Sequence, residues 1–292
     1  MNLTYKDRFE NYHSHIESYL QNACFTYPDE PQKELFSAMR YSLLAGGKRL
    51  RPILVYAFCE MCGGRWQDAA PFAAAVEMVH TYSLIHDDLP CMDNDDFRRG
   101  KPTNHKVYGE AMAVLAGDAL LTAAFHRIAD ADMPAQVRID AVRVLSDCAG
   151  ELGMVGGQVL DMDAEHRQCS KQEVLDIQSR KTGALIRSAC QLGVLAGNGT
   201  SEQLSAAGAF ADNLGLAFQI RDDVLDVIGD PALLGKSTGT DGTKNTFVQL
   251  YGIEACNCMV KDHTDLALRA LKQFKDSGFT AELACELIDR VK

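Results

Sequence analysis

The sequence predicts an all-α protein, and three observations support this fold class. Apolar residues recur every three or four positions through most of the chain, which is the spacing of one helix face. Alternating apolar and polar runs, which are typical of strands, are missing. Glycine and proline breaks leave segments of about 12 to 25 residues, which suit helices. The segments in which this pattern predicts helices are 31–45, 66–88, 110–130, 134–152, 171–195, 203–228 and 252–274.

The composition predicts one globular domain over residues 1–292. Apolar residues make up 47% of the chain and charged residues 24%, which excludes a disordered or fibrous protein. No Pro/Gly/Ser-rich linker divides the sequence, and no fixed-period repeat is present. A single compact helical domain is therefore the simplest arrangement.

The charge argues against nucleic acid as a partner. With 29 basic and 40 acidic residues, the formal charge is -11, whereas nucleic-acid binding depends on clustered basic side chains. The sequence contains no run of 18 apolar residues, so it does not predict a membrane span. The polar N-terminal segment lacks the apolar core of a secretory signal, so we expect a cytoplasmic protein.

The ten cysteines are then expected to be reduced thiols. Cys59 and Cys62 form a C-x-x-C pair, and Cys256 and Cys258 form a C-x-C pair. A second pair at zinc-finger spacing and the βαβ context of a redox motif are both absent from the sequence. We therefore assign these cysteines no metal or redox function.

Acidic residues are concentrated in two short segments. Residues 87–96 and 222–230 hold nine of the forty acids in nineteen positions. On a helix Asp222 and Asp226 lie about 40° apart with Asp223 beside them, so three like charges crowd one face. In the first segment Pro90 interrupts the helix after Asp87 and Asp88, which allows Asp93 to fold back toward them.

Carboxylates without histidine or cysteine are ligands suited to Mg²⁺, which commonly bridges to substrate phosphates. For either segment alone, a solvated acidic helix end is the more frequent explanation. Both segments lie within apolar sequence, however, which favours partly buried metal sites. The glycine and glutamate of an EF-hand are missing at the required positions.

Basic residues that could neutralise a phosphate follow in order along the chain. They are Lys48, Arg49 and Arg51 in GGKRLRP, Arg98, Arg99 and Lys101 in DDFRRGKP, Lys181 in RKTGAL, and Lys236 and Lys244 after the second acidic segment. A helix cap followed by solvated basic side chains would explain GGKRLRP equally well. His80 lies seven residues before Asp87, about 20° off the same face, where a buried structural histidine is the alternative to a ligand contact.

Taken together, these motifs resemble the short-chain trans-prenyl diphosphate synthases, of the bacterial farnesyl diphosphate synthase type. The resemblance spans roughly residues 35–250 and is carried by GGKRLRP, LIHDDLPCMDNDDFRRGKPTNH, GGQVLDMD, KTGALI and GLAFQIRDDVLDVIGD. It implies the isoprenoid-synthase helical bundle around a central cavity, a homodimer, and two aspartate motifs that face each other near the cavity mouth.

The resemblance also implies residue roles. Mg²⁺, three ions with substrate bound, would be held by Asp87, Asp88, Asp93, Asp222, Asp223 and Asp226. Isopentenyl diphosphate would be bound by Lys48, Arg51, His80 and Arg99. The allylic diphosphate would contact Arg98, Lys181, Thr182, Gln219 and Lys236. The catalytic set would comprise Asp87, Asp88, Asp93, Arg98, Lys181, Asp222, Asp223 and Lys236.

The resemblance further implies that product length depends on Tyr82 and Ser83, which precede the first aspartate by five and four residues. Tyr82 would lie about 7.5 Å from Asp87 along the helix axis, so its ring could stop a growing tail after one or two additions. An aromatic residue there resembles enzymes that make C15 products. A core aromatic without a role in product length is the alternative.

Three other functions stay open at this point. Within the class the chain could be a geranylgeranyl diphosphate synthase, and a non-catalytic synthase subunit is a further alternative that predicts eroded aspartate motifs. A class I terpene cyclase is disfavoured, because its second metal motif usually differs and it does not need GGKRLRP. The segment before Lys244 is shorter than the family pattern, and Arg290 and Lys292 are candidates to cap the site.

Overall fold

A computed structural model describes residues 3–27, 29–165, 167–228 and 245–289. Lys236, Lys244, Arg290 and Lys292 lie outside the described residues. The described residues form fourteen α-helices and one short β-hairpin, and the all-α prediction is confirmed. The helices are α1 (Tyr5–Ala23), α2 (Lys33–Leu43), α3 (Leu50–Met61), α4 (Ala70–Asp87), α5 (Asn104–Tyr108), α6 (Glu110–Ala129), α7 (Ala135–Ala149), α8 (Met154–Ala164), α9 (Lys171–Gln178), α10 (Ala184–Ala196), α11 (Ser201–Ile228), α12 (Phe247–Tyr251), α13 (Ile253–Ala270) and α14 (Gly278–Asp289).

Helix α4 lies at the centre of the bundle. Its first turns contain Ala73, Ala74 and Ala75, all fully buried, and these small side chains let α3, α6 and α10 approach closely. A helix that is buried on all sides lacks a polar face. The sequence pattern over 66–88 indicated one apolar face, and the structure shows that neighbouring helices cover the others as well.

Six of the described helices fall outside the segments predicted above. They are α1, α3, α5, α8, α12 and α14, of which α5 and α12 have only five residues each. In α3, nine of the twelve residues are buried. An amphipathic stripe cannot appear where almost every position is apolar, so the helical period is hidden.

The β-hairpin pairs Phe97–Arg98 with Lys101–Pro102. The sequence pattern did not predict it, because each strand has only two residues. Arg99 (φ 52°) and Gly100 (φ 74°) form its turn, and positive φ at both central positions is typical of a type I′ turn. The turn places Arg98 and Arg99 beside the end of α4.

Ten free thiols account for all the cysteines, as expected. Burial raises the pKa of Cys59 to about 12 and that of Cys62 to about 11. Both thiols are therefore protonated at neutral pH, which makes them poor nucleophiles and poor metal ligands.

Helix α6 is the one described helix with the length and apolar composition of a candidate membrane span. Core helices pass the same test, so this is weak evidence. In the structure α6 packs along α4 and also contacts α2 and α7.

A buried arginine joins the helices around the N-terminal half of the bundle. Arg49, which precedes α3 with φ 49°, is 3% exposed. Its Nε lies 2.6 Å from Glu17 Oε1 in α1, and its guanidinium also lies 2.7 Å from Glu77 Oε1 in α4. A third donor reaches the carbonyl oxygen of Leu43 at 2.8 Å. Although burial lowers the pKa of Arg49, Glu77 and Glu17 raise it above the usual value.

We expect Glu77→Ala to destabilise the protein by about 3–5 kcal/mol, because it leaves the buried Arg49 guanidinium without its closest buried partner. Urea denaturation of the variant measures this change. Asp68→Ala is the matched control, since it breaks the exposed Arg65–Asp68 pair, whose side chains are 75% and 55% exposed. That loss should cost at most about 1 kcal/mol. Equal effects of the two substitutions would contradict a structural role for Glu77.

Candidate active site

The first aspartate motif begins at the C-terminal end of α4. After Asp87 the chain turns back, and the backbone N–H of Asp93 donates to the carbonyl oxygen of Asp87 at 2.8 Å. Burial raises the pKa of the Asp87 carboxyl to about 6, with Lys181 opposing this shift and Asp93 adding to it. Asp87 and Asp93 are thus close enough to repel each other, as expected for two carboxylates that need a cation between them.

Asp88 is placed differently from the expected metal ligand. Its side chain is buried, and Arg98 Nε lies 2.7 Å and 2.9 Å from its two carboxylate oxygens. A second Arg98 nitrogen lies 2.5 Å from Oδ1. Arg98 thus pairs with this carboxylate, while Asp88 stays close enough to Asp87 for its charge to raise the pKa of Asp87. The Arg98 contact also fastens the β-hairpin to the end of α4.

The second aspartate motif lies in the last two turns of α11. Asp222, Asp223 and Asp226 are all half-buried there. Asp223 accepts a hydrogen bond from the backbone N–H of Phe247 at 2.8 Å, and Gln219 Nε2 lies 3.4 Å from its other oxygen. This motif is therefore tied to the start of α12, which follows it by more than twenty residues in the chain.

A π-helical turn, Ser179–Gly183, presents Lys181 and Thr182 between α9 and α10. Lys181 Nζ lies 2.5 Å from Asp161 Oδ2 in α8. Gly157 makes this contact possible, because a Cβ there would lie within 3.0 Å of the Lys181 backbone. Asp161 lies in the GGQVLDMD motif, but the sequence pattern did not indicate a role for it. Asp161 lies four residues after Gly157 and therefore on the same helix face, and this spacing is the sequence signal that could have pointed to Asp161.

Three cavities meet at these residues. The acidic cavity, of about 190 Å³, is lined by Asp161, Lys181, Thr182, Gln219 and Asp223 among others. Lys181 and Thr182 also line a larger cavity of about 490 Å³, here called the tail cavity, which contains Asp87 and Tyr82. Arg51 and His80 separate the tail cavity from a third, basic cavity of about 470 Å³.

The basic cavity lies where GGKRLRP meets the β-hairpin. Its polar lining includes Lys48, Arg51, His80 and Arg99. The Arg99 guanidinium donates to the carbonyl oxygen of Gly46. Arg51 Nε is buried without a hydrogen-bond partner. A buried guanidinium nitrogen without a partner is costly, so this cavity is suited to an anion.

His80 is neutral at physiological pH. Burial and the neighbouring Arg51, Arg99, Arg49 and Arg98 hold its pKa well below the usual value. A neutral imidazole can donate one hydrogen bond to an anion but adds no charge. The arginines and Lys48 therefore supply the positive charge of the basic cavity.

The tail cavity has mostly apolar walls. Met154, Val155, Val159 and Met162 of α8 form one side, and Val114 of α6 belongs to the opposite wall. Tyr82 is 6% exposed, and burial followed by the Asp87 charge raises its pKa to about 12. Ser83 lies beside it in the same wall. An apolar chain anchored at Asp87 and Lys181 could extend along this cavity toward Tyr82.

Within the described ranges, no three His, Cys, Asp or Glu side chains are grouped closely enough to hold a metal ion alone. This arrangement fits Mg²⁺, which is commonly held by one or two carboxylates together with substrate phosphates. The raised pKa of Asp87 beside Asp93 shows a buried carboxylate that a bound cation would stabilise. The donors present are therefore suited to a metal–diphosphate complex.

We expect the basic cavity to bind inorganic diphosphate without added metal, and Arg51→Met to weaken that binding about 10- to 100-fold. One charge-assisted hydrogen bond contributes about 1.5–3 kcal/mol, which corresponds to this loss. Isothermal titration calorimetry measures the affinity. Arg143→Met is the control, because Arg143 is 66% exposed on α7 and does not line the cavity. Equal affinities of the two variants would contradict the assignment of this cavity to an anion.

Comparison with known proteins supports a prenyl diphosphate chemistry. The model of the family described as polyprenyl synthetase matches residues 32–282. The chain is 46% identical over 251 residues to farnesyl diphosphate synthase of Micrococcus luteus, covering 84% of this chain and 86% of that protein. It is 50% identical over 230 residues to the chloroplastic geranylgeranyl pyrophosphate synthase of Catharanthus roseus, covering 77% and 64%.

The fold agrees with this assignment. A solved FPP/GFPP synthase from Zymomonas mobilis superposes with a TM-score of 0.88 at 35% identity, covering 97% of this chain and 98% of that one. The family match covers most of the chain, including both aspartate motifs and the basic residues that line the basic cavity. This chain belongs to the polyprenyl synthetase family.

Proposed function

We propose that the enzyme condenses isopentenyl diphosphate with dimethylallyl and then geranyl diphosphate, releasing (2E,6E)-farnesyl diphosphate. The observation that carries this proposal is the order of the three cavities. The basic cavity and the tail cavity share Arg51 and His80 in their walls, and the tail cavity and the acidic cavity share Lys181 and Thr182. Two diphosphates could thus be held on either side of one apolar space.

In this proposal Lys48, Arg51, His80 and Arg99 hold the diphosphate of isopentenyl diphosphate. The allylic diphosphate would lie near Lys181, Thr182 and Gln219, which line the acidic cavity. Arg98 would act there indirectly, since its guanidinium holds Asp88. Lys236, which lies outside the described residues, is proposed for the same diphosphate on the family resemblance alone.

Mg²⁺ is proposed to be held, together with that diphosphate, by Asp87, Asp88, Asp93, Asp222, Asp223 and Asp226, of which Asp88 is also paired with Arg98. The bound metal would neutralise charge that develops on the leaving diphosphate. Lys181 supplies a fixed positive charge beside Asp87 in the same place. Three ions is the number that the family resemblance implies.

The condensation also needs a dry space. The apolar α8 residues that line the tail cavity would shield the allylic cation once substrate covers them, whereas water would convert it to an alcohol. Arg51 and His80 would hold the second substrate at the edge of that space, close enough for its terminal alkene carbon to attack. The proton lost in the last step would pass to the released diphosphate, so the chain need not supply a general base.

The buried ring of Tyr82 favours a C15 product over the C20 product of a geranylgeranyl diphosphate synthase, because it closes part of the tail cavity. A non-catalytic subunit is disfavoured, since both aspartate motifs are complete and both line or adjoin the cavities. A class I terpene cyclase would have no use for the basic cavity.

The proposal includes the oligomeric state of the protein, which we expect to be a homodimer. A homodimer would cover apolar side chains on α6 and α7, of which Leu115 is 54% and Ile139 is 53% exposed. Light scattering on a size-exclusion column would test the dimer, and a mass equal to one chain would contradict it.

The continuous buried core supports one domain over residues 1–292. The ten free thiols suit the reducing cytoplasm.

The direct test is to incubate the purified enzyme with Mg²⁺, isopentenyl diphosphate and dimethylallyl diphosphate, and to identify the products by chromatography and mass spectrometry. We expect farnesyl diphosphate as the main product. Asp87→Ala and Asp222→Ala should lower turnover about 100-fold or more, because each removes a carboxylate that positions the leaving diphosphate. Both variants should keep the helical circular-dichroism spectrum.

The matched control for these variants is Asp68→Ala, which changes an exposed aspartate on the surface. Near-normal turnover of Asp87→Ala or Asp222→Ala would contradict the proposed metal site. A wild-type enzyme that forms no product longer than C5 would contradict the proposed function itself.

We expect Tyr82→Ala to lengthen the product to C20 or beyond, because the ring that closes the tail cavity is removed. The same chromatographic assay measures the product distribution. Tyr27→Ala is the control, since Tyr27 is 51% exposed and does not line the cavity. An unchanged C15 product from Tyr82→Ala would remove Tyr82 from the control of product length.

A further inference from the structure

One residue in the wall of the tail cavity has no part in the proposed function so far. His86 precedes Asp87 and lines the cavity, with its side chain 28% exposed. Its Nε2 lies 3.1 Å from the carbonyl oxygen of Val114 in α6. A carbonyl oxygen only accepts, so Nε2 carries the hydrogen of this bond. The Asp118 carboxylate, 4.0 Å from the same nitrogen, lies on the same side of the ring.

The ring fits there because position 117 is glycine. Gly117 is buried in the middle of α6. A Cβ at this position would lie within 3.0 Å of three atoms of the His86 imidazole, closer than real Cβ atoms approach other atoms. Glycine inside a helix costs about 1 kcal/mol relative to alanine. The imidazole therefore takes the place that a side chain of α6 would otherwise fill.

The other side of His86 supports Tyr82. The two rings meet edge to face, with centroids 5.5 Å apart and planes at 84°. This geometry is favourable for aromatic rings. Gly117, His86 and Tyr82 thus form a continuous row of contacts, here called the Gly117–His86–Tyr82 row, from the core of α6 to the ring that closes the tail cavity.

We propose that Gly117 and His86 are specificity-determining residues that set product length through the position of the Tyr82 ring. Gly117 does not line the tail cavity, so it acts only through His86. This inference rests on the proposed function of the same site. It adds a determinant of product length, Gly117 on α6, which does not itself contact the substrate.

The first test is Gly117→Ala. The added methyl group must displace the imidazole by at least about 1 Å, since non-bonded carbon atoms stay about 3.5–4.0 Å apart. We expect the ring, pushed away from α6, to move toward the tail cavity that it lines, which would narrow the space between Asp87 and Tyr82. We expect the ratio of turnover with geranyl diphosphate to turnover with dimethylallyl diphosphate to fall about 10-fold, as for a one-carbon change in an apolar pocket. The C10 fraction should rise accordingly.

The second test, His86→Ala, changes the cavity in the opposite direction. Without the imidazole, the Tyr82 ring loses its edge contact and can move back into the vacated space. We expect a C20 fraction at least several-fold above that of the wild type. In the double variant, which combines His86→Ala with Gly117→Ala, the methyl group added on α6 fills part of this space. The C20 fraction should therefore fall back toward the wild-type value.

The matched control is Gly208→Ala, another buried helical glycine, on α11. A Cβ at Gly208 has no neighbour closer than 3.4 Å, at Gln191 Nε2. The Gly208→Ala substitution should therefore leave the product distribution unchanged. Thermal denaturation of each variant separates loss of folding from a change in specificity.

A folded Gly117→Ala with the wild-type substrate ratio, or a His86→Ala that still makes only C15, would overturn this inference. If Gly117→Ala does not fold, His86→Ala and the double variant decide alone. A C20 fraction that is the same in the double variant as in His86→Ala would also overturn it. These outcomes differ from failure of the proposed function, in which the wild type itself makes no C15 product.

Discussion

The arrangement of the site depends on α4, which is buried through its first turns and borders the cavities along its last two turns. Along this one helix Glu77 holds the buried Arg49, and His80 lines both the basic cavity and the tail cavity. Tyr82 and Asp87 line the tail cavity. Helices α3, α6 and α10 pack around it and leave it no freedom to tilt. The distances between anion site, tail and metal site are therefore set by the rise of a rigid helix.

Some charged groups of the site are paired within the chain, whereas others keep unsatisfied charge or hydrogen-bonding capacity. Asp87 lies at the C-terminal end of α4, where the helix dipole adds negative potential and burial already raises its pKa. Lys181 offsets this charge from the π-helical turn, while Asp161 keeps Lys181 in place. In the basic cavity Arg51 Nε keeps an unsatisfied donor. The site is prepared for anions and cations that the chain itself does not supply.

The structure divides the first aspartate motif between two tasks. Asp87 and Asp93 remain near the cavity, whereas Asp88 pairs with Arg98 and fastens the β-hairpin. That hairpin in turn brings Arg99 to the carbonyl oxygen of Gly46. Neighbouring carboxylates point in different directions because successive positions at a helix end are about 100° apart. Family resemblance by itself treats the three aspartates as equivalent, and the side-chain contacts separate them.

Local pattern alone determined the helical class, the two carboxylate clusters and the position of Tyr82 one and a half turns before Asp87, since these depend on spacing along a single helix. Helix α3 escaped the pattern because burial on every side removes periodicity. Only the tertiary structure decided the partners across helices: Arg49 as a buried structural residue, Asp161 beside Lys181, and His86 against Gly117. Such contacts join residues far apart in the chain, and which helices meet depends on the packing of the whole core rather than on any local segment.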